Sequence, residues 1–160
     1  MRILGIDPGN IESAYVIYDG MDIIEFGKIS NFAMIGKIWT CKCNNIVIEM
    51  ISSYGMPVGK DIFETCVWIG RFVQKCSMET NIFCKLIYRK EIKMNLCNST
   101  RAKDSNIIQA LVDRFGNTNE HGKYSKGTKR NPGFFYGFSK DIWQALAVAV
   151  TFYDSCLDSK

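Results

Sequence analysis

Apolar and polar positions along this chain change period several times, and each change marks an element. Arg2 to Ile6 is a short apolar, β-branched run that stops at Asp7-Pro8-Gly9, which predicts a strand and a turn. Ser13 to Tyr18 resumes the strand pattern and closes on Asp19-Gly20, and Met21 to Ile29 supplies a third strand, completing an antiparallel meander. Met34 to Cys41 predicts a short helix. Asn45 to Met50 then reads as a buried central strand, because Ile46, Val47 and Ile48 follow one another without a polar break.

Ile51 to Lys60 carries two glycines and a proline and predicts a loop. Asp61-Ile62-Phe63-Glu64 has the spacing of a capping box for a helix reaching about Cys76, and Asn81 to Tyr88 is a fifth strand. Ser105 to Phe115 has helical periodicity and ends at Gly116. Asn117 to Phe138 is polar, basic and glycine-containing, which predicts a mobile segment. A last helix runs from Ser139 to about Cys156, with an apolar face that includes Ile142, Leu146, Ala149 and Tyr153. Meander strands followed by alternating strands and helices predict an α/β fold with a mixed five-stranded sheet and flanking helices. Residues 1–160 leave room for one such domain.

Charge adds a polarity that the hydrophobic pattern lacks. Between Lys85 and Arg130 eleven basic residues face four acidic ones, whereas the remainder of the chain holds nine basic and twelve acidic. One basic side suits a polyanionic partner, although a merely solvated face would read the same way. Seven cysteines without disulfide or zinc spacing, several in apolar stretches, predict free thiols and an intracellular, cytoplasmic setting. The chain opens on a strand pattern rather than a leader, and its longest apolar run, Ala145 to Val150, is too short for a membrane span.

Three acidic residues stand at edges of the expected core. Asp7 ends the first strand, Glu49 ends the buried strand, and Asp141 opens the last helix. Carboxylates at such places are costly unless a positive charge compensates them. Strand ends and a helix start can bring all three to one point, and oxygen-only clusters suit Mg²⁺ or Mn²⁺. Two such ions can activate water and stabilise the leaving oxygen of a phosphodiester. Taken singly, Asp7 also fits a plain turn and Asp141 a charge on the helix dipole.

The order Gly5-Ile6-Asp7-Pro8-Gly9, Val47-Ile48-Glu49, and Asp141-Ile142-Trp143-Gln144-Ala145-Leu146-Ala147 resembles the signature of RuvC-type Holliday-junction resolvases. The resemblance spans nearly the whole chain. The stretches Tyr54 to Phe72 and Gly127 to Tyr153 look like phage and prophage members, which would place the protein in a host cytoplasm. The resemblance implies an RNase H-like fold, a homodimer, four-way DNA junctions as substrate and a divalent metal, with Asp7, Glu49 and Asp141 as catalytic ligands. Family members carry a fourth acid directly before the Ala-Leu-Ala of the last helix. Here that position is Gln144, whose amide oxygen can still face a metal or hold a coordinated water, but without the charge.

The same resemblance gives the basic residues a role. Arg89, Lys90, Arg101 and Lys103, with Lys85 and Lys93, lie where related resolvases approach the DNA backbone, and Asp104 reads as a helix cap. Tyr54 either stacks on an unpaired base or packs down its own loop, and Lys60 either touches phosphate or is solvated. Lys123, Lys126, Lys129 and Arg130 read as a phosphate clamp, and His121 beside them as a solvated loop residue. Trp39, Trp68 and Trp143 belong to the core or a dimer contact. Two other functions fit the same residues: a junction-binding protein that has lost catalysis, and an RNase H-like nuclease acting on hybrids or forks.

Overall fold

Odd and even positions of the first strand divide the molecule in two. In the computed structural model, which describes residues 1–53, 55–78, 82–118, 124–125 and 128–157, β1 spans Ile3–Asp7. Leu4 and Ile6 point to one side of the sheet, into a core built with Met34, Ile38, Ile69 and Phe72. Ile3 points to the other side, into a core built with Leu146, Ala149 and Val150, and the strand's two-residue period sends Gly5 and Asp7 the same way.

The sheet has the order β3-β2-β1-β4-β5. β2 (Glu12–Tyr18) and β3 (Ile23–Ser30) run antiparallel to their neighbours, while β4 (Asn45–Met50) and β5 (Phe83–Tyr88) run parallel to β1. The mixed five-stranded sheet read from the sequence is therefore present. One face carries α1 (Asn31–Thr40) and α2 (Lys60–Ser77). The other carries α3 (Arg89–Cys97), α4 (Asp104–Phe115) and α5 (Lys140–Leu157). A two-residue pair, β6 (Asn117–Thr118) with β7 (Tyr124–Ser125), stands apart.

Four local expectations need correction. The first helix starts three residues earlier than its apolar pattern, because the Ser30 hydroxyl accepts the Ala33 N–H and caps it. Asp61 does not cap α2: the cap is Gly59, and Asp61 lies in the first turn, where its charge suits the helix dipole. Asp104 is likewise the first residue of α4 rather than its cap, which is Lys103. Arg89–Cys97, to which the hydrophobic pattern assigned no element, is helical.

The stretch from Asn117 to Phe138 is also not uniformly loose. Phe135 is buried against Trp143, their rings 4.6 Å apart, and Phe138 packs on Trp143 at 5.0 Å. These aromatics fasten the end of the segment to α5 just before that helix begins. Among the described residues no helix is long and apolar enough to cross a membrane, and all seven cysteines are free.

Candidate active site

The pairing register builds the site. Ile6 on β1 pairs with Ile48 on β4, so the next residues, Asp7 and Glu49, stand side by side at the strand ends. On the other side Asp7 pairs with Ala14, and Ala14 pairs with Lys28. Glu49, Asp7, Ala14 and Lys28 thus form one row across four strands, all on the face that α5 covers. Ala14 is the small member of the row, so nothing bulky separates Asp7 from Lys28.

α5 brings the third carboxylate. It crosses directly over β1, where Gly5 offers no side chain to hold it off. Ala145 lies over Gly5, and one turn earlier Asp141 reaches the end of the row. Its Oδ2 accepts a hydrogen bond from the Lys28 ammonium at 2.7 Å. Asp7, Asn10, Lys28 and Asp141 line a cleft of about 380 Å³.

The turn after Asp7 is tied by a closed ring of hydrogen bonds. The Ser13 hydroxyl donates to Asn31 Oδ1 at 2.6 Å, Asn31 Nδ2 donates to the Gly9 carbonyl at 2.9 Å, and the Gly9 N–H donates to Ser13 Oγ at 3.3 Å. Gly9 is required there, because a Cβ would come within 2.4 Å of the Glu12 carbonyl oxygen. Asn10 also donates to Glu64 at 3.3 Å, and Lys60 pairs with the same carboxylate.

Each carboxylate has a different electrostatic neighbourhood. Glu49 meets Arg89 at 3.3 Å, and the other arm of that guanidinium holds Asp104 at 2.6 Å. Burial pushes the Glu49 carboxyl up, while Arg89 pulls it down. Asp7 has no ion pair among the described residues. Burial, followed by the charges of Glu49 and Asp141, pushes its carboxyl up to about 8. Such a group carries its proton at neutral pH unless a further cation arrives.

Gln144, one turn along α5 from Asp141, is only 6 % exposed, and its Oε1 and Nε2 have no partner among the described residues. A buried amide left unpaired costs about 1–3 kcal/mol, so such groups are found where a ligand or water uses them. Among the described residues, no group of three acidic, histidine or cysteine side chains closes round one point. Asp141 and Glu49 are instead engaged by Lys28 and Arg89. The donor chemistry nonetheless fits a hard dication: three carboxylates, one of them lacking a counter-charge, beside an orphaned amide oxygen.

The expected DNA-contact residues divide. Arg89, Lys90 and Lys93 line a hollow of about 250 Å³ on the Glu49 side, with Arg101 and Lys103 on the turn that leads into α4. Arg89 is engaged with carboxylates rather than free for phosphate. Lys129 and Arg130 are exposed on the stretch before α5. Tyr54, His121, Lys123 and Lys126 lie outside the described residues. Lys28 was missed by sequence reasoning, since a lone lysine on an edge strand looks solvated until the register is known.

No protein-family model and no curated protein matches the sequence. Solved structures do match. Thermus thermophilus RuvC in complex with a Holliday-junction substrate superposes with a TM-score of 0.69 at 12 % identity, covering 99 % of this chain and 96 % of that one. Fowlpox virus resolvase, in a complex with Holliday-junction DNA, gives 0.58 at 14 % identity, covering 96 % and 99 %. The yeast mitochondrial Holliday-junction resolvase gives 0.60 at 10 % identity, covering 99 % and 80 %. The fold is that of the RuvC-type resolvases. The RNase H-like architecture expected from the sequence motifs is thus observed over nearly the whole chain.

Proposed function

We propose that this chain is a divalent-metal-dependent endonuclease that cuts branched DNA, four-way junctions foremost. The observation that carries this reading is the cross-strand row, which sets Glu49 beside Asp7, with Asp141 of α5 lining the same cleft as Asp7 and seated on Lys28 at the far end of that row. Asp7, Glu49 and Asp141 would hold Mg²⁺ or Mn²⁺, with the Gln144 amide oxygen as a neutral fourth donor. Bound there, the metal supplies an activated water and the positive charge that phosphodiester hydrolysis requires.

The remaining residues receive the substrate. Lys90 and Lys93, which line the hollow beside Arg89, and Arg101 and Lys103, on the turn into α4, would meet the DNA backbone, giving affinity without sequence preference. Lys60 shares the Glu64 carboxylate with Asn10 of the turn that follows Asp7 and would be available to a phosphate there. Lys129 and Arg130, exposed on the stretch before α5, would add further phosphate contacts.

Two copies would present two such sites to a junction with two-fold symmetry. α2 offers the surface for that pairing. Phe63 and Val67 are 63 % and 61 % exposed, and Gly70 and Gln74 continue the same stripe. Among the described residues a Cβ at Gly70 would meet nothing within 4 Å, so no contact with them requires glycine there.

A junction binder without catalysis is the competing reading, favoured by the missing charge at Gln144. Incubation of a labelled four-way junction with the protein and Mg²⁺ or Mn²⁺ decides between them. Cleavage that is lost in Asp7→Asn and Glu49→Gln, with junction binding retained, supports the nuclease. Binding without any cleavage in either metal overturns it.

A further inference from the structure

Among the described residues Lys28 is the one basic side chain lining the cleft of Asp7 and Asp141, and it reaches this place from the far edge strand. Its ammonium has a single hydrogen-bond partner among the described residues, Asp141 Oδ2 at 2.7 Å. Glu12 and Asp7 act on it as further negative neighbours. The Lys28 and Asp141 side chains are 43 % and 39 % exposed, so the pair can open into water at little cost.

Arg89 on the other flank differs in kind. Its shorter contact, 2.6 Å, goes to Asp104, and it touches Glu49 through one oxygen at 3.3 Å. A side chain anchored outside the cleft in this way can stay when a cation arrives. Lys28 has no such second anchor. Its ammonium occupies the Asp141 oxygen that a metal ion would take, and a lysine stem is long and flexible enough to turn aside.

We propose that Lys28 is a resident counter-cation of this site, which neutralises Asp141 in the metal-free protein, competes with the dication for it, and when displaced binds the substrate phosphodiester. The inference rests on the metal-dependent reading given above. It adds a substrate-contacting residue on the edge strand β3 and implies that this site needs more metal than one without a competing lysine. The site combines three carboxylates with a neutral Gln144 and has a lysine already seated on one of those carboxylates. Displacement changes the partner of the ammonium from a carboxylate to a phosphate, so one cation serves both states.

The test is calorimetric titration of Mn²⁺ into the wild-type protein, Lys28→Met and Lys28→Arg without DNA, followed by steady-state cleavage of a four-way junction. Lys28→Met should bind Mn²⁺ about two- to five-fold more tightly, the weight of a half-exposed ion pair. Lys28→Arg keeps the charge and should remain near wild type. In cleavage, Lys28→Met should need less Mn²⁺ and yet show a raised KM for the junction, two opposite shifts that a misfolded protein would not give. Mn²⁺ binding that is unchanged or weakened in Lys28→Met overturns the competition. An unchanged KM overturns the phosphate contact. A wild-type protein that takes up no Mn²⁺ overturns the metal reading itself, and this proposal with it.

Discussion

The carbonyl oxygen of Ala145 would lie 2.4 Å from a Cβ placed on Gly5. That approach sets the height of α5 above β1, and so the reach from Asp141 and Gln144 to Asp7. Ala149 closes the same gap one turn later, 2.9 Å from the same position. Gly5 therefore positions the site without touching it.

Gly5→Ala should destabilise the protein by about 2 kcal/mol, as overpacking against backbone generally does. For a domain of this size that is roughly 4–8 °C in Tm. Because the helix must lift, metal affinity should fall with stability. Thermal melts with and without Mn²⁺ check both, and a Gly5→Ala protein with a wild-type melt would mean that α5 docks less tightly than the structure has it.

Asp7 gives a prediction with a definite sign. Its carboxyl sits at about 8 in the fold against an ordinary 3.8. As pH rises between those values the unfolded chain releases a proton that the folded chain keeps, so the metal-free fold loses stability, and the penalty is complete above pH 8. Asp7→Asn removes that penalty. At pH 8 without metal the variant should therefore be more stable than wild type by at least about 1 kcal/mol, although under the proposed function it should not cleave. At pH 4 the two should melt together. Denaturant unfolding at both pH values reads this, and a variant less stable at pH 8 would contradict the burial of charge at Asp7.

The site was legible in part for this same reason. A carboxylate that ends an apolar strand, as Asp7 and Glu49 do, breaks a pattern that core packing would otherwise continue, and that break shows in one dimension. Asp141 shows in the same way at the head of an apolar helix. Lys28 does not, because its neighbours are set by two registers, Asp7 with Ala14 and Ala14 with Lys28, which no local pattern encodes. Arg89 looked like a phosphate ligand because its two acidic partners, Glu49 and Asp104, lie on other elements. α3 escaped notice because its one buried residue, Ile92, leaves no apolar stripe to find. Phe135 was hidden because its aromatic neighbours Phe134, Tyr136 and Phe138 are broken up by Gly133 and Gly137 and follow a polar, basic stretch, so they show neither a helical nor a strand period.

The α2 stripe predicts an oligomeric state. A charge at its centre, Val67→Glu, should leave the fold intact, since that side chain is exposed, and should split a dimer by burying an unpaired carboxylate. Light scattering should then report the 18.2 kDa chain mass for the variant and twice that for wild type. A monomeric wild-type protein at tens of micromolar would remove α2 as an interface.

Salt dependence separates phosphate-binding side chains from solvated lysines. Replacing both Lys90 and Arg101 by alanine should lower the slope of log affinity against log salt by roughly 2 for a four-way junction, about 0.9 for each phosphate that is no longer neutralised. Neither residue has an ion pair among the described residues, so the fold should not suffer. A slope equal to wild type would return both to plain surface charge.

Gln144 tests the charge of the site from the opposite side to Lys28. Gln144→Glu adds a negative charge at a buried position close to Asp141, at nearly constant shape. Without metal that charge has no partner, so the variant should be less stable than wild type at neutral pH. With metal it completes an all-carboxylate donor set, and the Mg²⁺ needed for half-maximal cleavage should fall by roughly tenfold, equivalent to about 1.4 kcal/mol. The two effects must appear together, because one buried charge causes both. Gln144→Asp carries the same charge on a shorter stem and should show the stability loss with less of the metal gain. Combining Gln144→Glu with Lys28→Met should shift the Mg²⁺ requirement further than either alone, since one adds an anion and the other removes its competing cation. If Gln144→Glu lowers stability but leaves the Mg²⁺ titration unmoved, the amide lies outside the coordination shell and α5 contributes Asp141 alone.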